Sequence, residues 1–274
     1  NFDGALTKGL PGDWSGVPLE GTGQFLTTAS TETRLARFLR TGSISTQSWP
    51  SRSLNIVRDD VVIPPGQTLT IQPGAVVKFE LGRKMVVDGA LEAPGTFAQP
   101  IAFTSIRDDA RGGDANRDGN TTTPFSTDWR NIQINGSATL DHCFIGYGQG
   151  ESSVDGILRV GGSALLRNCT VAETVFSGVI VYGSATLENT LVLRTDRAID
   201  TQAGTTTLKN CVIHGNRIGL FPHGGALTAI NSLITGNTEA GVQFATSAAV
   251  LRHCNVSGNV TNFQNHPDPT GSDG

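Results

Sequence analysis

Two stretches of the sequence gather side chains able to do chemistry. The first is RDDARGGDANRDGNTTTPFSTD, residues 107–128. In it Asp114, Asn116 and Asp118 alternate ahead of Gly119, the spacing with which an EF-hand-type calcium loop opens. Oxygens at alternate positions wrap a hard cation, and the glycine takes the tight turn. The twelfth position is Phe125, where such a loop carries a bidentate glutamate. Asp108, Asp109, Asn120 or Asp128 would have to complete the shell. The competing reading is a solvated loop whose aspartates pair with Arg107, Arg111, Arg117 and Arg130. The second stretch holds Arg194, Asp196, Arg197 and Asp200, with His214, Arg217 and His223 further on. Asp196 and Asp200 offer the paired carboxylates of glycoside hydrolysis; ordinary surface charge is the alternative. Tyr147, Tyr182, Phe221 and Phe244 offer part of a sugar-stacking face, whereas Trp14, Trp49 and Trp129 read as packing residues at segment boundaries. There is no GxSxG, HExxH, GxGxxG or P-loop lysine, so triad, zinc-protease and nucleotide chemistry are unsupported. Nor is there a CxxC pair to suggest zinc.

The elements that position these residues follow from composition and repetition. Lys+Arg number 20 and Asp+Glu 24 in 274 residues, a net charge of −4 that argues against nucleic-acid binding. Glycine is plentiful at 34 residues and charged residues make up only 16%. Thr, Val and Ile are common and helix formers scarce, which points to an all-β chain. No apolar run approaches the ~18 residues of a membrane span. A chain opening on Asn1 reads as a processed piece.

From residue 138 the sequence restates itself: ATLDHCFI, ALLRNCTV, ATLENTLV, TTLKNCVI, TAINSLI and AVLRHCNV. The residue before the cysteine-like position falls at His142, Asn168, Asn189, Asn210, Asn231 and His253, in steps of 26, 21, 21, 21 and 22. A second column, Gly156-Ile157, Gly178-Val179, Ala198-Ile199, Gly219-Leu220 and Gly241-Val242, keeps the same period. So short a unit cannot bury its own apolar face, so units must stack into a solenoid of parallel strands. Leu140, Leu166, Leu187, Leu208 and Leu251 form one inward ladder. Ile145, Val171, Val192, Ile213, Ile234 and Val256 form a second, and Ile157, Val179, Ile199, Leu220 and Val242 a third. The Asn column sits at a bend, where asparagine tolerates a left-handed backbone, and its amides are placed to bond from coil to coil; His142 and His253 are read as turn residues at its ends. The four cysteines read as small, free, buried core residues.

These patterns resemble right-handed parallel β-helix proteins, the pectate-lyase-like superfamily. Leu208 through Ile213, Gly215-Asn216 and Gly219-Leu220 reproduce the look of their coils. VVIPPGQTLTIQPGAVVKF (61–79), MVVDGALEAPGT (85–96), PIAFTS (100–105) and DWRNI (128–132) resemble β-helix modules of large bacterial surface and secreted proteins. The resemblance implies a β-helix over 51–263, with 1–50 a cap or the tail of a preceding repeat and 264–274 a C-terminal tail. GDWSGV (12–17) echoes TDWRNI (127–132), favouring the repeat. STETRLARFLRTG (30–42), with Leu35, Phe38 and Leu39 at helical spacing and Gly42 as a stop, favours a capping amphipathic helix. For function the resemblance implies a non-catalytic extracellular or cell-surface module, structural or adhesive, with carbohydrate binding and Ca²⁺ as further expectations. Its partners would be a polysaccharide or neighbouring repeats of a longer surface protein. The alternative is a polysaccharide lyase or glycoside hydrolase acting on an acidic polysaccharide at Asp196, Arg197, Asp200, His214, Arg217 and His223. The hydrolase motifs of the superfamily (NTD, GxDD, GHG, RIK) are not reproduced around these residues.

Overall fold

The computed structural model describes residues 35–152 and 155–265. All regular structure there is β-strand, and no helix among the described residues is long and apolar enough to cross a membrane. Each coil contributes three short strands, as in Ser184–Glu188, Leu191–Leu193 and Arg197–Thr201, followed one coil on by Thr205–Lys209, Val212–His214 and Ile218–Pro222. Every ladder between coils is parallel, with Leu187 over Leu208, Val192 over Ile213 and Ile199 over Leu220. The result is a parallel β-helix with three faces. One face is a nine-stranded sheet from Gln47–Trp49 to Ala249–Arg252. The other two belong to one 18-stranded sheet, because the strand Ser53–Ile63 runs through both. Its first half pairs with Val76–Phe79 and its last three residues with Met85–Val87.

Stacking of like on like gives the core its form. The first two ladders run as the repeat requires, except that Ala229 takes the leucine position in its coil. The third is corrected by one residue. Leu158, not Ile157, lies between Ile132 and Val179. The long connection before Gly156 breaks the period, and the fully buried Leu158 sets the register; Ile157 is also buried, against Gly148.

The bend column is as expected. His142, Asn168, Asn189, Asn210, Asn231 and His253 all have φ between 46° and 54°. The backbone N–H groups of the first five donate to the next coil, as from Asn189 to the Lys209 carbonyl at 2.9 Å. The four Asn side chains are exposed, and among them one coil-to-coil amide bond forms, from Asn189 Nδ2 to Asn168 Oδ1 at 3.3 Å. The continuous amide ladder is at another corner. Asn237 Oδ1 accepts from both the backbone N–H and Nδ2 of Asn216 at 3.0 Å, and Asn259 Oδ1 accepts from the same two groups of Asn237 at 3.0 and 2.7 Å. Asn216 and Asn237 are 1% exposed.

The column following the bend is Cys143, Cys169, Thr190, Cys211, Ser232 and Cys254. Each side chain donates to the carbonyl two residues back, for example Thr190 Oγ1 to Glu188 at 3.0 Å and Cys211 Sγ to Lys209 at 3.4 Å. A small donor suits this site, which explains why Cys, Thr and Ser alternate. All four cysteines are free. Three are buried as expected, and Cys254, on the last described coil, is only half-buried.

The capping helix is overturned where it can be seen. Residues 30–34 lie outside the described part, but Ala36–Ser43 is a strand parallel to Ser53–Ile63. It pairs the otherwise open backbone edge of the first coil, which a helix would leave unsatisfied. Leu35 and Leu39, four apart, share one face of a strand as readily as of a helix. Both pack outside the solenoid on Leu54, Ile56 and Val76. With Gln47–Trp49, this strand carries the β-helix N-terminal of residue 51.

Candidate functional site

The chain leaves the solenoid after Ile101–Ser105 and returns at Trp129, whose ring stacks on Phe79 at 4.1 Å and whose Nε1 donates to the Gly146 carbonyl at 2.9 Å. At the base of the loop, Asp128 accepts from Ser105 Oγ (2.5 Å), Arg107 Nη1 (2.9 Å) and the Phe125 N–H (3.0 Å). Asp108 accepts from Thr104 Oγ1 (2.6 Å) and Arg111 Nη1 (2.9 Å). These two aspartates, both buried, therefore fasten the loop to the wall. The middle of the loop lies on the apolar cluster outside the solenoid, with Ala115 buried over Leu54, Ile56 and Val76. Gly112, at φ 75°, brings its backbone onto Val76 and Leu54. Low apolar content thus does not leave the loop unpacked, because the apolar surface is supplied by the strands beneath it.

At the tip, Asp114 Oδ1 accepts from the N–H groups of Arg117 (2.6 Å) and Asp118 (3.2 Å), and its Oδ2 from Gly119 (3.0 Å). Arg117 and Gly119 take φ of 62° and 69° to allow this. The fold brings together three of the seven candidate metal ligands: Asp109, Asp114 and Asp118 each offer an oxygen, all within 4.8 Å of one another. Asn116 joins them through Nδ2, which donates to Asp118 Oδ2 at 2.8 Å. Oδ1 of Asp109, of Asn116 and of Asp118 are buried with no hydrogen-bond partner among the described residues. Asp108 and Asp128 are engaged at the base, and Asn120 is exposed. Burial pushes the Asp109 carboxyl up, with Lys78 opposing and Asp114 and Asp118 adding repulsion. Hard oxygens without donors, in a loop already closed by its own hydrogen bonds, fit a calcium-sized cation.

Lys78, which sequence reasoning missed, lies beneath this loop. It sits on an outward position of Val76–Phe79 but is fully covered. Its Nζ donates to the Gly113 carbonyl at 2.5 Å. Burial lowers its pKa to about 8, against the pull of Asp108, Asp109 and Asp114. The signal in the sequence is only a charge on a strand whose outer neighbours, Val76 and Ile56, are apolar.

The second candidate group lies on the face built by Arg197–Thr201, Ile218–Pro222 and Ala240–Gln243. Arg217 bridges Asp196 (2.5 and 3.1 Å) and Glu239 (2.5 Å), a partner not singled out from the sequence. Asp200 is fully buried, bonded to Arg197 Nη1 at 3.1 Å and Gln202 Nε2 at 2.8 Å. Its desolvation raises the carboxyl pKa against the pull of Arg197. Arg197 lies 4.5 Å over the Phe221 ring, and His223 meets the same ring edge-on at 5.5 Å. Two coils earlier in the same face Arg159 lies 4.7 Å over Tyr182. His214 is elsewhere, its Nδ1 3.1 Å from the Thr235 carbonyl, and Arg194 pairs with Glu173. Tyr147 packs by Phe144 at 6.2 Å, away from Tyr182 and Phe221.

Residues 131–265 match the family model described as "Right handed beta helix region". No curated protein and no solved structure matches the chain. The matched segment is the run of regular coils, and the same three-strand stacking continues through the described residues before it, so the chain is a parallel β-helix repeat protein.

Proposed function

We propose that this β-helix is a non-catalytic extracellular module, a structural or adhesive element of a surface protein, which binds carbohydrate on its Arg–aromatic face and is stiffened by calcium at the 107–128 loop. The observation that carries the reading is the state of the carboxylates on that face. Asp196 and Glu239 are both engaged by Arg217, and Asp200 is buried against Arg197 and Gln202. Hydrolysis needs two carboxyl groups facing a substrate across a gap, whereas Asp196 and Glu239 tie one coil to the next through Arg217 and Asp200 is bonded within its own coil. Arg159 over Tyr182 and Arg197 over Phe221 leave ring edges and guanidinium planes along the coils, a surface suited to a sugar chain. Calcium is supported by the unpartnered oxygens of Asp109, Asn116 and Asp118. Neighbouring repeats of a longer array are the second class of partner.

One observation favours the enzymatic reading: Asp200, beside His223, has a raised carboxyl pKa, as a general acid requires. A glycan array and a polysaccharide-degradation screen on the purified chain separate the two. Binding without release of reducing or unsaturated ends is expected. Turnover abolished by Asp200→Asn would replace the module with an enzyme.

A further inference from the structure

A cavity of about 550 Å³ opens between the first coils and the 107–128 loop, and four arginines line it. Arg37 comes from Ala36–Ser43, Arg58 from Ser53–Ile63, Arg83 from the turn after Val76–Phe79, and Arg117 from the loop. In a chain of net charge −4 this convergence is local. Two of the four are neutralised: Arg58 by Glu80 at 3.2 Å and Arg83 by Asp59 at 3.4 Å. Arg37 and Arg117 have no ion-pair partner among the described residues. Arg37 Nη2 donates instead to the Ala115 carbonyl at 2.8 Å.

Two donors are also left over. Nε of Arg37 and Nε of Arg83 are buried with no hydrogen-bond partner among the described residues. A buried unmade donor on a cation is costly, although neither nitrogen is itself exposed to the cavity. The pKa of Arg37 is lowered, by burial first and then by repulsion from Arg117 and Arg58, ahead of the pull of Glu80 and Asp114. The cavity therefore has unspent positive charge.

We propose that this cavity is a binding site for a doubly charged phosphate-type oxyanion, taken either as the free ion or as the terminal phosphate of a phosphomonoester. The charge fits, because two arginines lack a carboxylate and a phosphomonoester carries about −1.5 to −2 at neutral pH. The geometry fits as well. Guanidinium forks reach the cavity from four separate elements, which suits a tetrahedral group with three or four acceptor oxygens better than a planar carboxylate with two. The site adjoins the candidate calcium cluster, for Asn116 lines the cavity and also donates to Asp118. It is remote from the Arg–aromatic face.

The test is calorimetric titration of the full chain with inorganic phosphate, at constant ionic strength and with chelator present so that calcium plays no part. Saturable one-site binding is expected with phosphate and none with chloride. Arg117 is exposed in the loop, so Arg117→Gln should fold and melt as wild type in chloride, yet bind phosphate roughly tenfold more weakly, one charge-assisted contact being worth about that factor. Arg130→Gln, outside the cavity, should bind as wild type. Glycerol phosphate distinguishes the sources: equal or tighter binding assigns a terminal phosphate, weaker binding the free ion. The proposal is overturned if phosphate binds no better than chloride, if Arg117→Gln binds phosphate as well as wild type, or if glucuronate binds as tightly as phosphate.

Discussion

Asn237→Ala tests whether buried amides or bend geometry hold the coils in register. The Asn237 side chain takes part in four hydrogen bonds. Oδ1 accepts the Asn216 N–H and Nδ2; Nδ2 donates to Asn259 Oδ1 and, at 3.5 Å, to the Ile213 carbonyl. Truncation leaves the buried Asn216 N–H with no acceptor and deprives its Nδ2 of one of two, since the bond to the Val192 carbonyl survives. Asn259 Oδ1 keeps the Asn237 backbone N–H. One fully orphaned buried donor, one partly orphaned donor and a small void together cost about 2–4 kcal/mol. At roughly 2 °C per kcal/mol for a chain of this size, the melting temperature should fall by about 4–8 °C.

Asn210→Ala is the contrast. Its side chain is exposed, and its φ of 54° is the main constraint. The expected cost is about 1 kcal/mol, from placing alanine in the left-handed region, and Asn210→Gly should recover it. Calorimetric melts of the three variants and wild type decide the matter. If Asn210→Ala costs as much as Asn237→Ala, or Asn237→Ala costs under 1 kcal/mol, the buried ladder is not what fixes the register.

Three further outcomes are expected. Calcium at 100-fold its dissociation constant should raise stability by about 2.7 kcal/mol; the shift should be reversed by chelator and absent from Asp114→Ala/Asp118→Ala, and a wild-type melting temperature indifferent to both calcium and chelator rejects the metal reading. With chelator present, Lys78 should give a pH signature: its folded pKa of about 8 lies below the usual lysine value, so the cost of burying the ammonium is fully present below pH 8, and as pH rises towards the unfolded value the unfolded chain holds the extra proton and stability increases. The difference in stability between wild type and Lys78→Met, followed from pH 7 to 10, should show that rise, and a flat difference would exclude a buried ammonium. Thiol titration should count four cysteines in denaturant without reductant, but only Cys254 promptly in the native protein, since burial shields Cys143, Cys169 and Cys211 and pushes up the Cys143 and Cys211 thiols.

What the sequence reveals of this molecule follows from how a solenoid is built. In a stack of coils each position sees its own equivalent above and below, so a requirement of the fold is written several times over. The left-handed bend appears as four asparagines and two histidines, and the core as columns of Leu, Val and Ile. Where the period lapses, legibility lapses with it. The connection before Gly156 hid the step that places Leu158, and the first strand, with one repeat's worth of pattern, looked like a helix because a spacing of four is common to both periods. The buried Asn216–Asn237–Asn259 ladder was present in the GN pairs, yet its role was assigned to the other Asn column, since composition does not say which corner faces inward. The candidate sites are single events in the chain. The 107–128 loop announces its aspartates through local spacing, but Asp108 and Asp128 differ from Asp109 only in which residues, Thr104 and Ser105 of the wall and Arg107 of the loop itself, lie within reach. Lys78, Glu239 and the four cavity arginines become partners only when coils some 20 residues apart, or a loop and the sheet beneath it, are brought together. In this fold repetition encodes the scaffold, and the departures from it are where chemistry is placed and where one sequence says least.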